Sequence, residues 1–381
     1  MHTLTLKTLF GRIIEKNRRD KKSLIIMWRD NIREIERSRE IIRIGGDVPQ
    51  VGTLAFGIVD RGTNIIEVRP TSLCPLSCIY CSVNAGPKST NRWAEFVVEP
   101  EPLLNALEDV VRFKGINDIE VHIDGMGEPG VYPYLPKLIR GIKSISGVSV
   151  VSMQTRLYMF NDDSLRELAN AGLDRINLSI DSLRPELAKR LSGTSWYDVD
   201  YVKELVIKAL NLGINVIASP VWLPGINDED MVEITKWANE VGLGKGSLPP
   251  VLIQKYIPHK RGRRVNIRVM TWHEFWKRLK ELEEKLNVRL TATNDELNIH
   301  KAPQLPRPFK VNDEVKAKII SRGIIKGEFI GIIQPLRGSA IYDRVITVIA
   351  DARLENVLMG RQVKVQVIEN EDNIYIGRLI F

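Results

Sequence analysis

Three cysteines, Cys74, Cys78 and Cys81, fall within eight positions of a 381-residue chain and are the only ones it has. Thiolates are soft ligands, so a tight thiol group points first to zinc or to an iron–sulfur cluster. An odd count confined to one stretch does not make a disulfide framework. Structural zinc takes four ligands, usually as paired cysteine arms. Here no fourth cysteine exists, and folding would have to bring in a histidine such as His122. A closed [4Fe–4S] cluster normally uses four thiolates, so three would leave one iron open to an exogenous ligand.

The pattern around the cysteines says what must hold them. Short apolar runs at 64–69, 118–124, 148–154, 175–180, 215–222 and 251–256 read as strands, with helical patterns at 102–113, 135–145, 163–171, 202–212, 228–241 and 272–286. Six βα repeats imply a parallel sheet with right-handed crossovers. Within these strands apolar and polar residues alternate. Ile119, Val121 and Ile123 oppose Glu120, His122 and Asp124, and Ile176, Leu178 and Ile180 oppose Asn177, Ser179 and Asp181. Glu67 and Arg69 share a face as well. A sheet buried under helices on both faces would be apolar throughout. One helix-covered face and one polar face predict an open α/β barrel with a ligand-binding lumen and its chemistry at the C-terminal strand ends. The cysteines follow the first of these strands, at that end. A solvent-facing sheet is the alternative.

The arrangement C-x3-C-x2-C after the first strand resembles the radical S-adenosylmethionine (SAM) superfamily over about residues 57–299. The resemblance implies a partial (βα)6 barrel in which Cys74, Cys78 and Cys81 ligate a [4Fe–4S] cluster and the open iron chelates SAM. Tyr80, the aromatic residue before the last cysteine, matches a position beside the adenine. Gly125, Met126, Gly127 and Glu128 ("GMGEP" with Pro129) resemble the segment that receives the methionyl amino group. Ser179 and Asp181 resemble the polar positions that meet the ribose or the carboxylate. Met126 stands where the family has its second glycine, and "QTRLYM", around Thr155, where many members have Thr-Asn-Gly. Read alone, Glu128–Pro129 opens a helix equally well, and Ser179 is an ordinary strand residue.

The resemblance further implies that one electron, from a donor such as ferredoxin or flavodoxin, cleaves SAM to methionine and a 5′-deoxyadenosyl radical that abstracts hydrogen from substrate. Catalytic residues beyond the cofactor sites are not legible, although Glu120, His122 and Asp124 face the lumen and would orient a substrate. With all three thiols committed, no auxiliary cluster and no methylated-cysteine chemistry can be built. Rearrangement, carbon insertion or methyl transfer from a second SAM remain.

Prolines at 303, 306 and 308 predict a linker over 300–309. Beyond it, five strand-like stretches over 310–381, separated by Gly, Asn and Asp turns, predict a small all-β barrel of the oligonucleotide-binding kind. This segment is similar to the TRAM domain, and the two-part chain to archaeal radical SAM proteins that carry one. Arg322, Lys326, Arg337 and Arg344 would then track a phosphate backbone, or simply solvate the barrel. Lys255, Lys260, Arg261, Arg263, Arg264 and Arg268 form a second basic group, with no acid between them. It suits RNA contact and equally describes a solvated loop. Residues 1–56 read as a charged helical extension.

Net charge is +8, hydrophobic content 44% and charged content 27%. The composition is ordinary for a globular protein, and the charge is compatible with a polyanionic partner, although many basic proteins bind no nucleic acid. No apolar run reaches the ~20 residues of a membrane span, and the N-terminus lacks secretory-signal features, so a cytoplasmic enzyme is expected. Three readings follow. The first is a radical SAM enzyme acting on tRNA or rRNA. The second is a radical SAM enzyme acting on a protein or peptide. The third is a non-catalytic RNA-binding protein with a structural metal.

Overall fold

The computed structural model describes residues 22–380; the first part of the expected helical extension lies outside them. Helix α1 (Lys22–Ser38) buries Ile32 and Ile35, three apart on one face. The extension does not continue as helix. Residues Glu40–Ile44 form strand β1, which pairs in parallel with β4 (Ala94–Val98). Isoleucines at three of its five positions favour a strand over another helical turn.

The central sheet has six strands in the order β2 (Gly57–Asp60), β3 (Ile65–Arg69), β5 (Ile119–Ile123), β6 (Val148–Thr155), β7 (Arg175–Leu178) and β8 (Asn215–Ala218). β2 is antiparallel to β3, and all the later pairings are parallel. Helices α2 (Pro100–Lys114), α3 (Leu135–Lys143), α4 (Asp162–Ala171), α5 (Pro185–Ser192) and α6 (Val199–Asn211) lie between the strands in sequence. They bury Leu103, Leu107, Leu138, Leu165 and Leu205 in one core with the apolar strand face.

The expected sixth parallel strand at 251–256 is reduced to fragments. Val251 bridges Ala218, and β10 (Gln254–Lys255) pairs with β9 (Val221–Trp222). Pro220, Pro249 and Pro250 lack backbone donors and interrupt the ladder on both sides. Helix α7 (Asp228–Glu240) precedes this edge. Helix α8 (Trp272–Leu286) follows it, with a capping box between Thr271 and Glu274.

The C-terminal segment is a closed five-stranded barrel, ordered β11 (Glu314–Arg322), β12 (Glu328–Gln334), β13 (Val345–Ile349), β15 (Ile376–Ile380), β14 (Gln362–Glu369). A short helix, α9 (Glu355–Leu358), lies between β13 and β14. Val315, Ala317 and Ile319 alternate inward along β11, against Phe329, Val348 and Val365.

The barrel is joined to the α/β body by backbone hydrogen bonds: Trp93 N to Ile324 O at 2.6 Å, Lys326 N to Asn91 O at 3.0 Å, Val345 N to Val51 O at 2.9 Å and Tyr375 N to Gly52 O at 2.8 Å. The proline-rich stretch expected as a linker is instead a packed strap. Leu305 is buried, and the buried Lys114 ammonium donates to Asp60 Oδ1 at 2.8 Å, Thr63 O at 2.8 Å and Pro303 O at 2.9 Å. Proline removes donors but leaves carbonyls, and here a lysine uses one of them.

Candidate active site

The cysteine loop leaves the C-terminal end of β3, with all three thiols half-buried. Two sets of arginines hold it. Beneath it, the buried Glu95 carboxylate receives Arg39 Nη1 at 2.8 Å, Arg92 Nη1 at 2.6 Å and Ser72 Oγ at 2.6 Å. Arg39 also donates to Gly86 O at 3.0 Å and Ser89 O at 2.8 Å; Arg92 donates to Ser72 O at 2.9 Å and Met126 O at 2.6 Å. One buried acid thus organises both flanks of the loop, and each charge is paired and hydrogen-bonded, as burial requires.

From the other side, Arg263 donates through Nη1 to Cys78 O at 2.9 Å and through Nη2 to Ala85 O at 2.6 Å, while its backbone N–H reaches Cys81 O at 2.8 Å. Gly262 lies against the same loop. A Cβ there would sit 2.8 Å from the Cys81 and Ser82 carbonyl oxygens. The backbone N–H of Ala85 points at Cys81 Sγ, 3.3 Å away.

The residues expected to bind cofactor converge above the loop, and several are occupied by one another. Asp181 Oδ2 accepts from Arg156 Nη2 at 2.5 Å and from the Tyr80 hydroxyl, which itself accepts from Arg156; Asp181 Oδ1 accepts from Val221 N at 2.9 Å. Ser179 Oγ accepts from Gln154 Nε2 at 2.6 Å. Glu128 is 4% exposed. Its carboxylate accepts from Gly130 N and Arg156 N, each at 3.0 Å, and from the Thr155 hydroxyl. Burial raises the Glu128 pKa against the pull of those hydrogen bonds. Gly127 faces the cysteine loop, where a Cβ would stand 2.2 Å from Leu73 O. Met126 is buried and its carbonyl is taken by Arg92. The glycine of this motif therefore serves loop-on-loop packing.

Arg156 is the residue that sequence reasoning missed. It lies just past β6, is 6% exposed, and holds its guanidinium 5.6 Å from the Tyr197 ring centroid. Burial works against its charge, but Cys78, Tyr80 and Asp181 around it outweigh that and raise its pKa. Burial pushes Cys78 up to about 11, with Arg156 pulling it back; it also pushes Cys74 well up. The sequence signal was the stretch "QTRLYM", which stands where many members of the resembled family have Thr-Asn-Gly.

Behind this cluster the polar sheet face carries two hydrogen-bonded groups, one around Glu67 and one around Glu120. Register places Glu67, His122, Ser152, Arg175 and Asn215 in a row across five strands. Ser152 donates to Glu120 Oε1 at 2.6 Å and lies 2.7 Å from His122 Nδ1, so Nδ1 carries a proton and donates to the Ser152 hydroxyl. Arg175 pairs with Glu120, and Arg69 donates through Nε to Glu67 at 2.6 Å. Burial raises the Asp124 pKa, His122 countering it and Glu67 adding to it.

The basic residues separate into two groups. Arg263 belongs to the cysteine loop. Arg261 pairs with Glu328 of the barrel at 2.8 Å, and Arg268 pairs with Glu274. Arg344 is fully buried, donating to Asn373, Pro306 O and Ile341 O, with its pKa lowered by burial to about 10. Arg322 pairs with Glu355 at 2.5 Å and stacks over Trp93. Each of these five has a partner within the fold: for Arg261, Arg322 and Arg268 an acid, for Arg263 and Arg344 backbone carbonyls. Lys260, Arg264, Lys326 and Arg337 are exposed, Arg337 lying over Tyr342.

The Radical SAM superfamily model matches residues 68–238. An uncharacterized protein of Methanocaldococcus jannaschii is 34% identical over 369 residues, 92% of this chain and 83% of that protein. The chain belongs to the radical SAM superfamily. A GTP 3′,8-cyclase of Alkaliphilus metalliredigens is 33% identical over 174 residues, 45% of this chain and 51% of that enzyme. The chain thus spans about half the length of the cyclases it matches. The crystal structure of methylornithine synthase overlaps at TM-score 0.45 and 14% identity, covering 74% of this chain and 73% of that one.

Membership of the radical SAM superfamily carries a [4Fe–4S] cluster and SAM as the cofactors. The residues present fit them. Three thiols share one loop whose carbonyls are fixed by arginines, and a thiolate donor set of this kind suits iron–sulfur ligation. Among the described residues no three His, Cys, Asp or Glu side chains are grouped to hold a single metal ion. No helix among these residues is long and apolar enough to cross a membrane.

Proposed function

We propose that this radical SAM protein modifies a nucleotide of structured RNA, tRNA or rRNA, in the cytoplasm. The supporting observation is the position of the basic segment 255–268. It reaches the cysteine loop through Arg263 and the barrel through Arg261–Glu328, so one cationic strip links the two units. In this reading residues 57–299 are a partial (βα)6 barrel whose last strand is broken by prolines. Residues 310–381 are a TRAM-like module, clasped through the 300–309 strap.

Cys74, Cys78 and Cys81 would hold the cluster, which when bound supplies the electron that cleaves SAM to a 5′-deoxyadenosyl radical. Tyr80, Asp181 and Arg156 would orient SAM. Arg156 is suited to a carboxylate, because a guanidinium matches it in charge and geometry. Glu128, held by Gly130 N, Arg156 N and the Thr155 hydroxyl, would tie the turn of 125–128 to the end of β6. Glu120, His122 and Asp124 face the substrate from the sheet, and ferredoxin or flavodoxin supplies the electron.

Nucleoside mass spectrometry of RNA from a deletion strain, with recovery on complementation, tests the reading. A modified base absent only in the deletion strain is expected, and an unchanged nucleoside profile would refute it. A free purine nucleotide as substrate is the second reading, favoured by the cyclases among the relatives.

A further inference from the structure

Beyond the part of the chain that matches the family, α8 carries two tryptophans that its packing does not bury. Trp272 is 54% exposed and Trp276 49%. At i and i+4 they lie on one helix face, with ring centroids 6.3 Å apart and planes within 22°. Phe275 backs both from the core, at 6.0 and 5.2 Å. The Lys255 ammonium stands 4.9 Å from the Trp272 centroid. Large aromatics left in water on a rigid element, beside a cation, mark a contact surface more than a packing residue.

The surroundings select the partner. Lys260 and Arg264 are exposed on the adjoining loop, and neither pairs with an acid among the described residues. A second copy of the chain would bring like charge against like. An anion with flat faces satisfies both features, because every base offers a π-face to an indole and every phosphate a charge to a lysine. The location suits the chemistry too. Tyr256, next to Lys255, packs with Leu191 and Leu223 in a small core that Tyr80 also joins, beside Cys81.

We propose that Trp272 and Trp276 form a stacking platform for two bases of a single-stranded RNA segment, with Lys255, Lys260 and Arg264 holding its phosphates. This rests on the RNA reading above and identifies the surface that would hold the strand. A fluorescein-labelled single-stranded RNA of about eight nucleotides, within the range of such sites, is titrated against the full chain, and Trp272→Ala and Trp276→Ala are compared with wild type. Each substitution lies on the surface, and the thermal midpoint of each variant confirms folding.

Each alanine should weaken binding by about tenfold, the value of one lost base stack, without changing the salt dependence. Trp272→Phe should recover most of the loss. Lys260→Ala and Arg264→Ala should each lower the salt slope by roughly one phosphate contact. Wild-type affinity in both alanine variants would overturn the platform and leave RNA binding elsewhere. No binding of RNA to the wild-type chain at low salt would overturn the RNA reading and the platform with it. Equal competition by poly-glutamate would assign the surface to an acidic protein instead.

Discussion

The guanidinium of Arg263 lies 2.9 Å from the carbonyl oxygen of Cys78, across 185 positions of sequence. It ties the segment before α8 to the loop that carries the three thiols.

Arg263→Ala should therefore lose cluster before it loses RNA. Hydrogen bonds from a charged donor contribute about 1.5–3 kcal/mol each, so removing Arg263 should speed bleaching of the cluster by chelator at least tenfold. Visible absorbance during anaerobic chelation reads this. RNA affinity and its salt slope should stay at wild-type values. A stable cluster with a lowered slope would return Arg263 to the RNA surface.

Arg156 and Asp181 should behave as a buried pair. Arg156→Leu strands the Asp181 carboxylate, a loss of about 3–5 kcal/mol, visible in the denaturant midpoint. Asp181→Leu in the same chain should restore most of that stability, because an apolar pair can replace a buried ion pair at little cost. SAM binding, measured by equilibrium dialysis on cluster-loaded protein, should stay lost in both. Wild-type SAM affinity in the double variant would remove the pair from the cofactor site.

The barrel should not be separable from the body. Ile324, Ile330, Ile332 and Val345 belong to the same core as the central sheet. A chain ended after residue 309 exposes that surface and loses the backbone bonds at Val51, Gly52, Asn91 and Trp93. It should unfold at a lower temperature and be cut by protease within the body. An unchanged thermal midpoint would show two independent domains.

The strap should loosen as pH rises. Asp118, hydrogen-bonded to the exposed His300, raises its pKa above the ordinary 6.5, and the Lys301 carbonyl adds to this. The folded pKa lies above the unfolded one, so the contribution is complete below about 6.5 and is lost as pH rises through the raised value. Amide exchange over 299–305, corrected for its intrinsic pH dependence, should show weaker protection above that window. His300→Gln should abolish the difference.

Period-two alternation made the polar sheet face legible, because one-sided burial writes itself into strands. The five barrel strands were legible from the Gly, Asn and Asp turns that separate them. The cysteine spacing is local, and so was readable at once. What could not be read depends on contacts between distant segments. β1 lies where a helical pattern was expected; its isoleucines favour a strand, but the β4 partner that it pairs with lies some fifty residues on. The strap looked like a linker because nothing in its own residues reveals Lys114. Arg261, Arg263 and Arg344 looked free because their partners, Glu328, the cysteine loop and Pro306, lie elsewhere in the chain. Arg156 was hidden by apolar neighbours, and its role emerges only where Tyr80, Asp181 and Cys78 converge.

The central claim is that Cys74, Cys78 and Cys81 hold a cluster with one iron open to SAM. Anaerobic iron and sulfide analysis, with electron paramagnetic resonance of the reduced protein with and without SAM, tests it most directly. About four irons and four sulfides per chain are expected, as a [4Fe–4S] cluster requires, with a reduced signal that changes when SAM is added. Zinc in place of iron, or a cluster signal indifferent to SAM, would contradict it.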